Sequence, residues 1–401
     1  MKPLVEVKLG DVAEFVRGIT FKPEDVCALD QADAVACMRT KNVQAALDLS
    51  DVWAVHKDFV KRKEQFLQEG DILVSTANSW NLVGKCCWTP ALPWPATLGG
   101  FISALRADRQ KVSPRFLYHW FNSPRIQAVV RNCGRQTTNI SNMSVERCLA
   151  TQFPLFHITE QQRIAATLDQ ADSLRIKRRQ SLAKLDTIAQ SIFFDLCGDP
   201  AINPKHWICD TLGGHLLFVT SGGRGWAEYY SGNGSRFIRS LDVQMNYIGS
   251  EDVVYVTPPD SAEARRTMVQ AGDVLLTITG SRIGRVAAVS EEFAGSYVSQ
   301  HVAILRPNPE TIESQFLSFF LSMESGGQRQ IARHQYGQTK PGLNFDSIAR
   351  FRIPVPPISI QRDFVQRLKA VQWLNSKQET SASKLDALFA SLQHRAFRGE
   401  L

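Results

Sequence analysis

The chain has 401 residues, 44% of them hydrophobic and 21% charged, a globular mix with material for more than one buried core and unlike that of disordered or fibrous proteins. No run approaches the ~18 consecutive apolar residues of a membrane span, and the opening Met1-Lys2-Pro3-Leu4-Val5-Glu6-Val7-Lys8 has charges where a signal peptide has its apolar centre, so a cytoplasmic location is expected. The net charge of +7 is shared as +4 over 1–155 and −1 over 206–357, with no basic tail, a balance that suits nucleic-acid binding and many unrelated functions equally.

Short β-branched runs alternate with turn signals through the first module, residues 1–157. Gly70-Asp71 is a turn dipeptide feeding the strand Ile72-Leu73-Val74-Ser75-Thr76, and Pro114 to Arg131 predicts a helical piece carrying Phe116, Leu117, Trp120, Phe121 and Val129. A mixed α/β module is the reading. Neither Pro nor Gly occurs from Thr159 to Phe194, which predicts one long helix in the segment 158–199. Thr159 and Gln162 have capping-box spacing, and Gly198-Asp199-Pro200 stops the helix.

The chain then starts again. Arg39-Thr40-Lys41-Asn42-Val43-Gln44 lines up with Arg239-Ser240-Leu241-Asp242-Val243-Gln244 at an offset of 200, and Gly70-Asp71 with Gly272-Asp273 at 202. Val83-Gly84-Lys85 answers to Ile283-Gly284-Arg285, Ala104-Leu105-Arg106 to Ile304-Leu305-Arg306, and Lys184-Leu185-Asp186 to Lys384-Leu385-Asp386. Gln136, Thr137 and Asn142 pair with Gln338, Thr339 and Asn344 at 202. Colinearity of this kind reads as a tandem duplication, with a second module over 200–357 and a second helical segment over 358–401.

Uninterrupted stretches of 36 and 39 residues predict helices roughly 50–60 Å long. Their apolar positions, Ile164, Leu168, Leu174, Leu185 and Ile192 against Phe364, Leu368, Leu374, Leu385 and Leu392, recur at spacings of three and four, as in a coiled-coil seam. The alternative is two separate amphipathic helices, each lying on its own module. A pseudo-twofold relation between the copies would set the two helices antiparallel, with one module at each end.

No catalytic set is present. Gly84-Lys85-Cys86 lacks the leading glycine and the hydroxyl of a phosphate loop, no Gly-rich dinucleotide turn occurs, and the eight histidines have no ligand spacing. The eight cysteines form no C-x-x-C pair and read as buried thiols. Paired polar loops remain: Gly134-Arg135-Gln136-Thr137-Thr138-Asn139-Ile140-Ser141-Asn142 with Gly337-Gln338-Thr339-Lys340-Pro341-Gly342-Leu343-Asn344. Gln, Asn and Arg can read base edges, and Thr, Ser and Lys can hold phosphates. A second paired set is Asn78 and Lys85 against Thr279, Ser281, Arg282 and Arg285, and a third is Arg39 and Lys41 against Arg239. Each set reads equally as a polar turn, a solvated hairpin tip or a structural ion pair.

The doubled layout, Gly272-Asp273-Val274-Leu275-Leu276 with Gly284, Ile353-Pro354-Val355-Pro356-Pro357 leading to Gln361-Arg362, Phe194-Asp195-Leu196-Cys197-Gly198-Asp199-Pro200 and the closing Phe397-Arg398-Gly399-Glu400-Leu401 together resemble a type I restriction-modification specificity subunit (HsdS). The resemblance covers nearly the whole chain. It implies an α/β (α+β) protein of two target-recognition domains, separated by two long antiparallel helices in a pseudo-twofold coiled coil, that reads a bipartite target in double-stranded DNA. The implied partners are two modification subunits, which use S-adenosylmethionine to methylate adenine, and restriction subunits, which translocate DNA with ATP and Mg. The chain itself would bind no cofactor or metal and catalyse nothing. A coiled-coil scaffold without sequence preference is the competing reading.

Overall fold

Turn dipeptides and apolar runs place the central strands of a mixed helix and sheet fold that occurs twice. The computed structural model describes residues 5–135, 140–336 and 342–401, apart from the side chains of Arg135, Ala183 and Asp186. It divides into two units, 1–180 with 379–401 and 181–378. In the first unit a sheet runs Ala13–Arg17, Ile102–Ala107, Ile72–Ser75, Cys86–Trp88, each strand antiparallel to the next. In the second unit Leu216–Ser221, Val302–Pro307, Val274–Thr277 and Val286–Ala288 take the same order and sense. Ile72 and Val74 face the cluster containing Phe116 and Leu117, whereas Leu73 joins Met38, Cys87 and Ala104 on the other side. Val274 and Leu276 are likewise separated from Leu275, Ala287 and Ile304. A strand covered on both faces has no polar side, so these segments read as unbroken apolar runs.

A second sheet repeats too. Val26–Cys27, Trp53–His56, Ala34–Met38 and Ala96–Leu98 correspond to Tyr230–Ser231, Val254–Val256, Ser235–Ile238 and Tyr297–Val298, with the last pair parallel in both. The ends of each module are tied by a short antiparallel ladder, Val5–Lys8 with Gln152–Leu155 and Cys209–Thr211 with Arg352–Pro354.

The Gly-Asp dipeptides do more than turn the chain. Asp71 and Asp273 are buried, at 2% and 1% exposure. Arg106 donates from Nε and Nη2 to the two oxygens of Asp71 at 2.8 and 2.7 Å, and Arg306 does the same to Asp273 at 2.7 and 2.9 Å. The backbone N–H of Gln68 and of Gln270 completes each carboxylate. Two motifs that recur separately along the sequence are therefore one bidentate pair in space. The carboxylate hydrogen bond raises the pKa of Arg106 and of Arg306 against the opposing effect of burial.

The helix expected from Pro114 to Arg131 is two, Pro114–Phe121 and Pro124–Asn132. Pro124 forces the residue before it out of the helical region, and Ser123 sits at ψ 145°. The long helices span Ile158–Cys197 and Ile358–Ala396, 40 and 39 residues. Thr159 lies inside the first turn of its helix, so the capping box is not formed there. Wholly buried glutamines anchor these ends instead. Gln161 accepts from the Ser113 N–H and donates to the carbonyls of Lys111 and Phe156. Gln361 accepts from the Glu313 N–H and donates to Thr311 and Pro356.

Each unit combines the opening stretch of one long helix with the closing stretch of the other. In the first unit Ile164, Ala165 and Leu168 share a cluster with Phe389 and Ala396. The two stretches are antiparallel there, since Arg163 reaches the Leu401 carbonyl while Arg175 and Arg179 reach Asp386. In the second unit Phe364, Val365 and Leu368 share a cluster with Ala189, Phe193 and Cys197. Of the expected seam residues, Ile164, Leu168, Leu185, Phe364 and Leu368 are buried, and Ile192, Leu385 and Leu392 are half-buried. Leu174 and Leu374 depart from the expectation, being exposed at 56% and 39%. In the first unit Arg175 lies over the Phe389 ring at 4.2 Å and pairs with Asp172 and Asp386, so a guanidinium follows the last buried leucine. His119 is a satisfied core histidine, 2.7 Å from Asp169. Burial would raise the Asp169 carboxyl, but the His119 hydrogen bond and the Arg115 guanidinium hold it below its ordinary value.

Burial pushes the thiols of Cys37, Cys87, Cys148 and Cys197 up to about 12. Cys209 differs from the expected buried thiols in being exposed. Among the described residues no His, Cys, Asp and Glu cluster could hold a metal ion, and no helix is long and apolar enough to cross a membrane.

Candidate nucleic-acid interface

The hairpin after each central strand presents the second candidate set. The Gly84 N–H donates to the Ser75 carbonyl and the Ser75 N–H to Lys85; Gly284 with Thr277, and Thr277 with Arg285, repeat this. Gly84 and Gly284 have φ of +84° and +90°. A Cβ at Gly84 would stand 2.7 Å from Val130 Cγ1, and one at Gly284 would stand 2.9 Å from Gln328 Oε1. Glycine is therefore required for the turn that delivers Lys85 and Arg285. The first hairpin holds a short 3₁₀ turn, Trp80–Leu82, that the second does not repeat.

The structure joins the three candidate sets within each module. Lys85 donates to the Gln44 side chain and Arg285 to that of Gln244, while Arg282 donates to the Leu241 carbonyl at 3.1 Å. The loops after Arg39 and Arg239 are thus tied to the hairpins. On the other side, Ala77–Asn78 pairs antiparallel with Ser141–Met143, which pairs in turn with Gly134–Arg135. The second module makes the same joins as single bridges, Thr279 with Gly342 and Tyr336 with Gly342. Gln136, Thr137, Asn139, Gln338, Thr339 and Lys340 lie outside the described residues, as does the side chain of Arg135. The backbone on either side of each such segment is held against the hairpin that carries the second set.

Several polar candidates already have local work. Arg39 stacks on Trp53 at 3.7 Å and pairs with Asp51, as Lys41 does at 2.7 Å. Arg239 pairs with Asp242 and Asp252. The third set thus contains the ion pairs its sequence left open. The Lys41 hydrogen bond, opposed by burial and aided by Arg39, holds the Asp51 carboxyl below its ordinary value. The Asp242 hydrogen bond raises Arg239. Lys85, Arg282 and Arg285 instead contact the neutral groups named above, which leaves their charge open to a phosphate. Ser281 is exposed, and Thr279 Oγ1 meets His301 Nδ1 at 2.5 Å. Asn78 bonds to Ser75 Oγ and to the Ser79 N–H. Asn142 is exposed.

Asn344 is not the counterpart of Asn142. Its side chain caps the helix Phe345–Ala349 by accepting from the Ser347 N–H at 2.7 Å, the task of Ser144 before Val145–Leu149. Gly342 occupies the ladder position of Asn142. The offset there is 200, and shared amide chemistry had disguised a structural cap as a paired reader.

The duplicated module places a polar hairpin at the same position in both units. The chain matches the type I restriction modification DNA specificity domain over residues 1–187 and 237–384 and belongs to that family, the specificity subunits of type I restriction-modification systems. It is 24% identical over 417 residues to the specificity subunit of the type I restriction enzyme StySPI of Salmonella potsdam, covering 98% of this chain and 88% of that one. With the EcoKI specificity subunit of Escherichia coli K12 the identity is 22% over 420 residues at the same coverage. Two solved structures share the fold. One is a chain from a study of complex assembly and conformational transition of the type I system, with a TM-score of 0.59, 17% identity and full coverage of both chains. The other is the type I S subunit from M. genitalium, with a TM-score of 0.58, 15% identity and 99% coverage of both.

Proposed function

We propose that the modules 1–157 and 200–357 each read one half of a split sequence in double-stranded DNA. The observation that carries this reading is the joining of the three polar loops at the same place in both modules. Lys85 in the first, and Arg282 and Arg285 in the second, hold the phosphates. The loops around Gln136 and Asn139, and around Gln338 and Lys340, meet base edges in the major groove.

The helical segments 158–199 and 358–401 pair antiparallel as a pseudo-twofold coiled coil and set the distance between half-sites. Two half-sites about one helical turn apart present the same face of the duplex to two such readers. The helices also dock two modification subunits. Leu174 and Leu388 in the first unit, and Leu374 and Ile188 in the second, support this, because the same positions of both copies leave apolar side chains exposed. S-adenosylmethionine belongs to the modification subunits, and ATP and Mg to restriction subunits in a larger cytoplasmic assembly. Adenine methylation requires the base to leave the stack, so the modifying site must lie close to each reader.

Selection from randomised duplexes by the chain assembled with its modification subunit tests this reading. Gln136→Ala should relax the preference in one half-site and Gln338→Ala with Lys340→Ala in the other, each by roughly tenfold or more. Assembly should be intact in both. An assembled wild-type complex with no sequence preference would support the scaffold instead.

A further inference from the structure

Phe101 and His301 hold the same place in the two modules. Each directly precedes the strand that carries the arginine of the bidentate pair, Ile102–Ala107 or Val302–Pro307. Each also gives its carbonyl to the adjoining hairpin. The Phe101 carbonyl accepts from the N–H groups of Thr76 and Ala77, both at 3.1 Å, and from Thr76 Oγ1 at 3.2 Å. The His301 carbonyl accepts from the Ile278 N–H at 2.9 Å. In the first module the anchored Ala77 pairs with Asn142; in the second the anchored Ile278 accepts from the Leu343 N–H and its neighbour Thr279 bridges to Gly342, so both positions border the base-reading loops.

Their side chains are opposite in chemistry. Phe101 leaves an apolar ring 61% exposed. His301 is exposed as well, but its ring is held by Thr279 Oγ1 at 2.5 Å, with Gln300 Nε2 3.4 Å from its Nε2. We propose that this position determines specificity: Phe101 packs on the C5-methyl of a thymine in the first half-site, and His301 hydrogen-bonds a base edge in the second. The proposal rests on the DNA-reading function above. The thymine methyl is the one apolar group on a major-groove edge, and a phenyl ring gains nothing from the amino and carbonyl groups around it. A half-site that contains an adenine always has a thymine opposite.

Replacing each thymine of the first half-site by uracil removes only the methyl. Binding by the chain assembled with its modification subunit should fall about fivefold at one such position, the worth of one buried methyl. With Phe101→Ala the same replacement should have no effect. His301→Ala should relax the second half-site and leave the first unchanged. The proposal is overturned if no uracil replacement weakens the wild-type complex, or if Phe101→Ala leaves affinity and preference as they were. A 2-aminopurine signal of base unstacking that depends on Phe101 would also overturn it, since the ring would then be a wedge. Loss of all sequence preference in the wild type would instead remove the underlying DNA-reading function.

Discussion

Phe193→Ala is expected to destabilise the second unit by about 3–5 kcal/mol, the cost of emptying a large aromatic site in a packed core. Phe193 is fully buried. Its ring stacks on Phe316 and Phe319, both at 5.5 Å, and meets Phe364 edge-on at 5.1 Å. Four rings from two long helices and one module helix therefore converge, and none can move in to fill the space without losing its own contacts. In thermal unfolding of the full chain the transition containing this unit should fall by about 10 °C. Ile188→Ala, on the same helix but 44% exposed, should cost no more than about 0.5 kcal/mol. Equal effects of the two would mean that the helix does not pack as described.

Asp273→Asn is the second large effect. It leaves the Arg306 guanidinium without its carboxylate beside a residue that is 1% exposed. Breaking a buried pair on one side costs about 3–5 kcal/mol, and the partial exposure of Arg306, 24%, points to about 3 kcal/mol, the low end of that range. Asp273→Leu combined with Arg306→Met should recover much of the loss, because no charge is then stranded. Urea unfolding of the wild type, the single variants Asp273→Leu and Arg306→Met, and the double variant reads this directly as a non-additive cycle. Simple additivity would show that the pair is solvated rather than closed.

Both effects explain why some of the molecule was legible in the sequence. Gly70, Gly84, Gly272 and Gly284 recur because each has a backbone conformation with φ between +84° and +93°, and Asp71, Arg106, Asp273 and Arg306 because losing either partner of a bidentate pair strands the other. That these belong together was not legible, since they lie 35 and 33 residues apart and meet only through the strand register. The helices were legible from the absence of Pro and Gly. Their packing was less so, because apolar spacing placed Leu174 and Leu374 on a seam where the residue after the first is an ion-paired arginine. Phe193 and Phe389, both buried, went unmarked because they depart from the positions matched between the copies. Gln361 stood in the family motif, but the burial of Gln161 and Gln361 was not legible, as a polar residue near a helix start has no apolar period to betray it. In the candidate interface the glutamine-to-cation links, Gln44 with Lys85 and Gln244 with Arg285, span 41 residues each and needed coordinates.

We propose that each module reads its own half of a split DNA sequence. It is tested most directly by mapping adenine methylation in a methylation-free host that expresses this chain with its modification subunit. An asymmetric split motif is expected in which substitutions at Gln136 alter one half, substitutions at Gln338 alter the other, and the spacing is unchanged by either. A motif indifferent to both loops, or no new methylation from an assembled complex, would contradict it.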